Sequence, residues 1–129
     1  MNERSEAETA CVFCHSKVAI VFENETCFAL FDRNPVTKGH LLILPKAHRQ
    51  DYFSLTAQEL ADTDKLIKQG KEYLDQRYAP KGYNIGFNCG VVAGQTIAHC
   101  HCHLIPRYEG DVANPKGGVR GVIPDMQSY

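Results

Sequence analysis

The stretch HCHCHLIPR, residues 99–107, places three histidines at every second position with cysteines in the gaps. Successive side chains of a β-strand point to opposite faces of the sheet, so this spacing predicts a strand with His99, His101 and His103 on one face. The two cysteines and Leu104 take the other face. Because an imidazole without a polar partner is costly against an apolar core, we expect the cysteine face to be buried and the histidine face to be open.

Three uses of such a histidine face are possible. It can be a solvated sheet face, or all three rings can bind one metal ion, or their roles can be divided between a ligand, a nucleophile and a supporting ring. Same-face neighbours on a strand are ~7 Å apart, so three rings on a straight strand cannot converge on one ion. A neutral imidazole is a good nucleophile toward phosphorus and a workable leaving group, which favours divided roles.

The rest of the chain predicts short strands around one long helix. Residues 17–22 and 27–32 are two β-rich runs joined by a polar turn, which indicates a hairpin, and HLLILP, ending at Pro45, indicates a third strand. Thr56 and Glu59 have the spacing of a helix capping box. YNIGFNCG predicts a strand before the histidine segment. One helix face is predicted from spacings of three and four: Leu60, Thr63, Ile67, Gly70, Leu74 and Tyr78.

This order of elements predicts an α+β fold, an antiparallel sheet backed by one main helix. Residues 1–10 are charged and lack apolar periodicity, so we expect a flexible leader there. The domain is then residues 11–129, including a tail rich in Gly and Pro that we expect to be an ordered loop.

Composition excludes several classes of partner. Fourteen Lys and Arg against fifteen Asp and Glu give a formal net charge of -1, so no overall positive field attracts a nucleic acid polymer. No apolar run reaches membrane-spanning length, and the N-terminus lacks the apolar segment of a secretory signal, so we expect a cytoplasmic protein. Neither G-x-x-x-x-G-K-[ST] nor G-x-G-x-x-G occurs, so we expect any phosphate to bind on the histidine side of the sheet.

Cys11 and Cys14 form a C-x-x-C, a spacing that lets two thiolates bind one zinc ion. Alternatives are a redox dithiol and two unrelated core thiols. A second C-x-x-C is absent from the sequence, so further ligands must come from elsewhere. The candidates are His15, His40, His48, Cys100 and the three histidines of the strand.

The pattern His-φ-His-φ-His-φ-φ over residues 99–105 resembles the histidine-triad (HIT) family of nucleotide hydrolases and transferases. FALFDRNPVTKGHLLILPKAH, GYNIGFNCGVVAGQTIAHCHCHLIPR and the tail GDVANPKGGVRGVIP look like the corresponding family segments, the last being typical of prokaryotic members. The resemblance implies a HIT-like fold, an antiparallel sheet of about five strands with one long helix and a short helix. It also implies a homodimer and a nucleotide as the small-molecule substrate.

By the same resemblance, His101 attacks the α-phosphorus of an adenine nucleotide and forms a nucleotidyl-histidine that water hydrolyses. The other ring nitrogen of His101 should donate to a backbone carbonyl, for which the family suggests that of His103, and the His103 side chain should face the phosphate. Gly94, Gln95 and Thr96 are expected to bind phosphate or the leaving group, with an ordinary turn as the alternative.

Two further polar residues match family positions. Asn88 is expected to contact phosphate, with a strand-end cap as the alternative, and Asp32 to bind ribose hydroxyls, with a turn-initiating role as the alternative. Phe13, Leu30 and Phe31 are candidates for a base pocket, although as single apolar residues they fit the core better.

In the zinc-bearing members of the family, Cys11 and Cys14 pair with His48 and His99. All four positions are filled here, which implies a closed structural Zn²⁺ site. No role is assigned to His15 or His40.

Two other functions remain open at this point, a zinc-bearing nucleotide-binding or interaction module with weak catalysis and a metal-sensing or storage protein. The sequence does not choose between dinucleoside polyphosphates and phosphoramidates as substrates. Lys116 to Arg120 of the tail is either a segment that reaches an extended anionic substrate or a flexible basic loop.

Overall fold

Five strands form one antiparallel sheet in the computed structural model, which describes residues 11–15 and 19–129. The expected leader at residues 1–10 and part of the first predicted strand lie outside the described residues. In chain order the elements are helix α1 (Val12–His15), strands β1 (Phe22–Glu23), β2 (Cys27–Phe31) and β3 (Leu41–Pro45), helix α2 (Ala57–Tyr78), and strands β4 (Gly82–Phe87) and β5 (Cys102–Arg107). The predicted α+β class, with one long helix and a short helix, is confirmed.

Strand order places the histidine strand inside the sheet. The order is β1-β2-β3-β5-β4, so β5 lies between β3 and β4. His103 is paired with Leu42 of β3 on one side and with Gly86 of β4 on the other. Residues from β3 and β4 therefore flank the histidines, although both strands are far from them in sequence.

Both faces of the sheet are covered near its centre. Helix α2 packs on one face, over a core that includes Ile43, Cys102 and Leu104. On the other face, Leu30 and Leu42 belong to a smaller apolar cluster against which Phe13 of α1 packs. Buried on both faces, β2 and β3 read as continuous apolar runs rather than alternating ones.

The predicted capping box of the long helix is confirmed. The Thr56 side chain accepts a hydrogen bond from the Glu59 backbone N–H, and the Glu59 carboxylate accepts one from the Thr56 backbone N–H. The predicted face is right for Thr63, Gly70 and Leu74, which are buried. Leu60 is instead 36% exposed and Leu66 is 1% exposed. In its first turns the helix buries Glu59, Asp62 and Leu66 beside Thr63.

The histidine segment is only partly a strand. Strand β5 begins at Cys102, so His99 and His101 lie in the irregular segment before it. The backbone N–H of Cys100 donates to the carbonyl of Arg49, 2.6 Å away, in the connection after β3. Cys100 and Cys102 are buried as expected, but His99 is also 1% exposed, so the predicted open face is wrong for this histidine.

Four short 3-10 helices lie in the connections and the tail of the described residues: Tyr52–Ser54, Val91–Ala93, Gly118–Val122 and Pro124–Met126. The C-terminal tail thus contains two of these short helices. Within residues 11–15 and 19–129, no helix combines the length and the apolar character that crossing a bilayer requires.

Gly70 tests the contact between α2 and the histidine strand. A Cβ atom at this position would lie 2.8 Å from Leu104 Cδ2, so Gly70→Val should lower the free energy of unfolding by about 1–3 kcal/mol through overpacking. The measurement is urea denaturation followed by circular dichroism. Gln69→Val, at the exposed neighbouring position, measures the cost of valine in the helix itself, and equal losses in the two variants would contradict the contact.

Candidate functional site

Two cysteines and two histidines converge at one end of the sheet. Cys11 Sγ lies 3.4 Å from His99 Nδ1, Cys14 Sγ lies 3.4 Å from His48 Nδ1, and the two Nδ1 atoms are 3.3 Å apart. Four ligands bound tetrahedrally to zinc at about 2.0–2.3 Å are separated by about 3.3–3.8 Å. The spacing and the donor set of this cluster therefore fit Zn²⁺.

The hydrogen bonds of His99 point its free nitrogen at the cluster. His99 Nε2 donates to the carbonyl oxygen of Pro45, 2.9 Å away, so the neutral ring keeps its lone pair on Nδ1. Burial lowers the pKa of His99, which favours that neutral form. A backbone carbonyl that fixes the tautomer of a ligand histidine is the usual second layer of a metal site.

The next histidine is held in the orientation of a nucleophile. His101 Nδ1 donates to the carbonyl oxygen of His99 at 2.8 Å, which leaves the lone pair of the neutral ring on Nε2. The prediction that the His103 carbonyl accepts this hydrogen bond is wrong. The reason is that β5 starts only at Cys102, so the His99 carbonyl lies outside the strand pairing and takes the ring N–H.

The third histidine is hydrogen bonded to a residue that the sequence analysis left without a role. The Val36 backbone N–H donates to His40 Nδ1 at 3.1 Å, so the neutral His40 ring carries its proton on Nε2. That nitrogen is 3.0 Å from His103 Nδ1 and 3.5 Å from the Asp32 carboxylate. His40 is 2% exposed, and by donating to His103 it leaves the His103 proton on Nε2.

The same three side chains could be mistaken for a second metal site. Asp32, His40 and His103 bring their oxygen and nitrogen atoms close enough for an ion. However, the lone pair of His40 is already used by the Val36 N–H, so its inner nitrogen is a donor rather than a ligand. We therefore interpret the three groups as a hydrogen-bonded chain. Sequence reasoning missed His40 because its proximity to His103 depends on strand order.

His103 is a neutral hydrogen-bond donor. Burial, together with the neighbouring rings of His101 and His40, lowers the pKa of His103 to about 4. Burial also lowers the pKa of His40, although the Asp32 carboxylate opposes this effect. At neutral pH both rings are uncharged, so His103 is suited to donate a hydrogen bond to an oxygen anion and is not suited to act as a charged acid.

A cavity of about 610 Å³ opens beside these histidines. One part of its wall is apolar and includes Phe13 and Phe31, and Phe13 also packs edge-on against the His101 ring at 5.4 Å. Phe13, Leu30 and Phe31, which the sequence favoured as core residues, thus also line the cavity. The polar part of the wall is formed by Asp32, Arg33, Asn34, Asn88, Gly94, Thr96, His101 and His103.

Asp32 has two functions in this wall. Its Oδ1 accepts from the Asn34 backbone N–H at 2.8 Å, which is the expected turn-initiating bond. Its Oδ2 faces His40 at 3.5 Å. A ligand hydroxyl that binds this carboxylate would therefore share it with the Asn34 N–H and with His40.

The loop before the histidines is held by Gln95. Its Oε1 accepts from the Gly90 N–H, and its Nε2 donates to the carbonyls of Gln50 and Ile97. Gln95 is 9% exposed and lies outside the cavity lining, so the structure gives this side chain a positioning role. Gly94, which has φ +96°, and Thr96 form the cavity wall on either side of it.

Comparison with known proteins identifies the family. Residues 15–110 match the family model of the HIT domain. An uncharacterized HIT-like protein of Methanocaldococcus jannaschii is 41% identical over 106 residues, which cover 78% of this chain and 81% of that protein. Two named enzymes are each 31% identical, an adenylylsulfatase of Arabidopsis thaliana over 84% of this chain and 58% of the enzyme, and an asymmetrical bis(5'-nucleosyl)-tetraphosphatase of Schizosaccharomyces pombe over 78% and 50%.

Solved structures agree with this assignment. A HIT family protein from Bacillus anthracis has a TM-score of 0.75 at 36% identity, covering 79% of this chain and 76% of that chain. A Zn-bound histidine triad family protein from Mycobacterium smegmatis has a TM-score of 0.74 at 28% identity, covering 83% and 81%.

The neutral state of His103 predicts a pH dependence of stability. Since its folded-state pKa of about 4 is below the ordinary histidine value of 6.5, the unfolded chain binds more protons between these values, and stability should fall as pH drops from about 6.5 to 4. His103→Gln, which still accepts from His40 but does not titrate, should weaken this decline. Unfolding midpoints measured from pH 7.5 to 4.5 test this, and identical slopes for both proteins would contradict it.

Proposed function

This chain belongs to the histidine-triad family, and we propose that it is a hydrolase or nucleotidyl transferase that cleaves the bond between the α-phosphate of an adenine nucleotide and its leaving group. The observation that carries the proposal is the bond from His101 Nδ1 to the His99 carbonyl, made beside a cavity of about 610 Å³. It leaves an uncharged nitrogen with its lone pair available at a site that can accept a nucleotide.

The first displacement uses that lone pair. His101 Nε2 attacks the α-phosphorus, a bond from nitrogen to phosphorus forms, and the bond to the leaving group breaks with its electron pair on the departing atom. The imidazole ring of the nucleotidyl-histidine carries a positive charge, which makes it a good leaving group for the second displacement. Water then attacks phosphorus, releases its proton to solvent and regenerates the neutral ring.

Charge on the phosphoryl oxygens requires donors that are already in place, because a loose transition state is stabilised mainly by positioning and electrostatics. We assign this role to the Asn88 amide, the Thr96 hydroxyl and the His103 Nε2–H, together with the backbone at Gly94. All four residues line the cavity. The nucleophile and its neighbours are neutral imidazoles. No negatively charged base therefore has to approach the anionic phosphate.

The remaining cavity wall suits the nucleoside. The apolar part with Phe13, Leu30 and Phe31 can cover a base, and Asp32 is the carboxylate available for ribose hydroxyls. The names of two relatives are consistent with this chemistry, since one is an adenylylsulfatase and the other a bis(5'-nucleosyl)-tetraphosphatase. Both act at a phosphate of a nucleotide.

We also propose that Cys11, Cys14, His48 and His99 hold one structural Zn²⁺. When bound, the ion would cross-link helix α1, the connection after β3 and the segment before β5 rather than supply chemistry at the substrate, since all four ligands come from the protein. His99 is then anchored on its ring side while its carbonyl orients His101. The expected cytoplasmic location and the homodimer complete the proposal, the latter supported by the edge position of β4 in the sheet.

Loss of the nucleophile gives the most direct test. His101→Ala should abolish formation of a nucleotidyl-protein, detected as a mass increase of one adenylyl group after rapid acid quenching, because no other ring in the site has a free lone pair directed at the nucleotide cavity. Binding of AMP, measured by calorimetry, should persist. His103→Gln is the matched control, which keeps the nucleophile and should form the adduct more slowly. Full turnover by His101→Ala would show that the nucleophile is assigned wrongly.

Metal content tests the zinc proposal separately. The purified protein should contain one zinc per chain, and Cys14→Ser should lose the metal and lower the melting temperature because a four-ligand structural site contributes directly to folding. Cys89→Ser is the control, since Cys89 is outside the cluster and its loss should leave the zinc content unchanged. Equal zinc content in both variants would refute the ligand set.

A further inference from the structure

Phe13 belongs to two sites at once. In sequence it lies between the two cysteines of the Cys/His cluster, which consists of Cys11, Cys14, His48 and His99. In space its side chain lines the nucleotide cavity, as does that of its neighbour Val12. The short segment from Cys11 to Cys14 therefore supplies two of the proposed metal ligands and part of the wall that we assign to the base.

The Phe13 ring also contacts two histidines of the segment before β5. Its centroid is 5.7 Å from the centroid of the His99 ring and 5.4 Å from that of the His101 ring, in both cases edge-on. Edge-to-face contact is a favoured arrangement of aromatic rings, and a ring packed in this way has less freedom to turn. The His101 ring is thus held twice, at Nδ1 by the His99 carbonyl and at its side by Phe13.

Side-chain contacts of two kinds place this segment on the sheet. On its apolar side, Phe13 packs against the small apolar cluster that contains Leu30 and Leu42. On its polar side, Cys11 and Cys14 lie in the Cys/His cluster, whose ligand atoms are all within 4.8 Å of one another. Thiols make only weak hydrogen bonds, so the polar contacts become strong when the four groups share a metal ion. Without an ion, the position of the segment depends more on the apolar contact.

This double role links metal binding to nucleotide binding. A base in the cavity would bury apolar surface of Phe13 and of Val12, which is 38% exposed. Release of the ion breaks the bonds of both cysteines, after which the segment can move away from the base and from His101. A nucleotide that holds the segment in place therefore opposes release of the ion. Because linkage is reciprocal, the ion must strengthen nucleotide binding by the same factor.

A second route from the cluster to the nucleophile runs through His99, whose ring belongs to the cluster and whose carbonyl accepts from His101. That route orients the His101 ring and does not involve the base. The route through Phe13 involves both, so a substitution at Phe13 separates the two routes. Phe31 provides the comparison, since it lines the same cavity from β2 and is not a member of the cluster.

We propose that Phe13 is a positioning residue that couples zinc in the Cys/His cluster to nucleotide binding, so that zinc and nucleotide each strengthen the binding of the other. The inference rests on the proposed function and on the proposed zinc ligands. It makes the nucleotide affinity of this chain dependent on the zinc available to it. An ion that only stabilised the fold, without contact between its ligand segment and the base, would not give this dependence.

The test measures the zinc affinity of the full chain by equilibrium competition with a chromogenic chelator, with and without saturating AMP. We expect AMP to raise the zinc affinity about 10-fold, and calorimetry should show AMP binding about 10-fold tighter to the zinc-loaded protein than to the metal-free protein. Circular dichroism shows whether the metal-free protein keeps its fold. Equal zinc affinity with and without AMP would overturn the proposal.

Two matched phenylalanine variants separate positioning from simple loss of cavity wall. Phe13→Ala keeps all four ligands and should bind zinc, but AMP should change its zinc affinity by less than about twofold. Phe31→Ala should weaken AMP binding and yet keep the full effect of saturating AMP on zinc affinity. Phe13→Leu, which retains more of the apolar packing, should show an intermediate effect. A full effect in both Phe13 variants would overturn the proposal.

The same measurements distinguish this inference from other outcomes. Coupling through global unfolding of the metal-free chain would be equal in Phe13→Ala and Phe31→Ala, and that equality would overturn the role of Phe13. AMP binding of the same strength with and without zinc would overturn the coupling while the proposed nucleotide site stands. Absence of AMP binding by the zinc-loaded protein would overturn both the coupling and the proposed function.

Discussion

A backbone carbonyl decides what the histidine segment can do. The carbonyl of His99 accepts the Nδ1 proton of His101, and without that bond the ring could turn or exchange its tautomer, leaving no defined lone pair beside the cavity. The neighbouring rings are fixed in the same way, His99 by the carbonyl of Pro45 and His40 by the N–H of Val36. Main-chain groups therefore set the proton positions of His40, His99 and His101, and the sheet and its turns determine where those groups lie.

These bonds also connect the Cys/His cluster to the cavity through neighbouring residues. His99 contributes a ring nitrogen to the cluster and a carbonyl to His101, so displacement of the His99 ring would move the group that orients His101. The connection after β3 reinforces this link, because the carbonyl of Arg49 accepts from Cys100 N–H and that of Gln50 accepts from Gln95. The Cys/His cluster and the His101 ring are thereby joined through a single residue, His99.

Strand order explains which site residues the sequence failed to reveal. His40 precedes β3 and reaches His103 only because β3 and β5 are neighbours, and a pattern in one strand does not specify its neighbour. Gln95 was expected to contact the substrate, but the structure shows its amide fully used by backbone groups of its own loop and of a distant connection. The four cluster residues were indicated by family resemblance, since the C-x-x-C alone left several partners open.

The sequence by itself determined what depends on neighbouring residues: the capping box of Thr56 and Glu59, and the buried alternation of Cys100, Cys102 and Leu104. These follow from local hydrogen bonds and from the period of a strand. Only the tertiary structure decided the inward turn of His99 onto the Pro45 carbonyl and the contact between His40 and His103. Each of these requires groups 30 or more residues apart to meet, and such meetings are set by how the strands are ordered and packed rather than by any one segment.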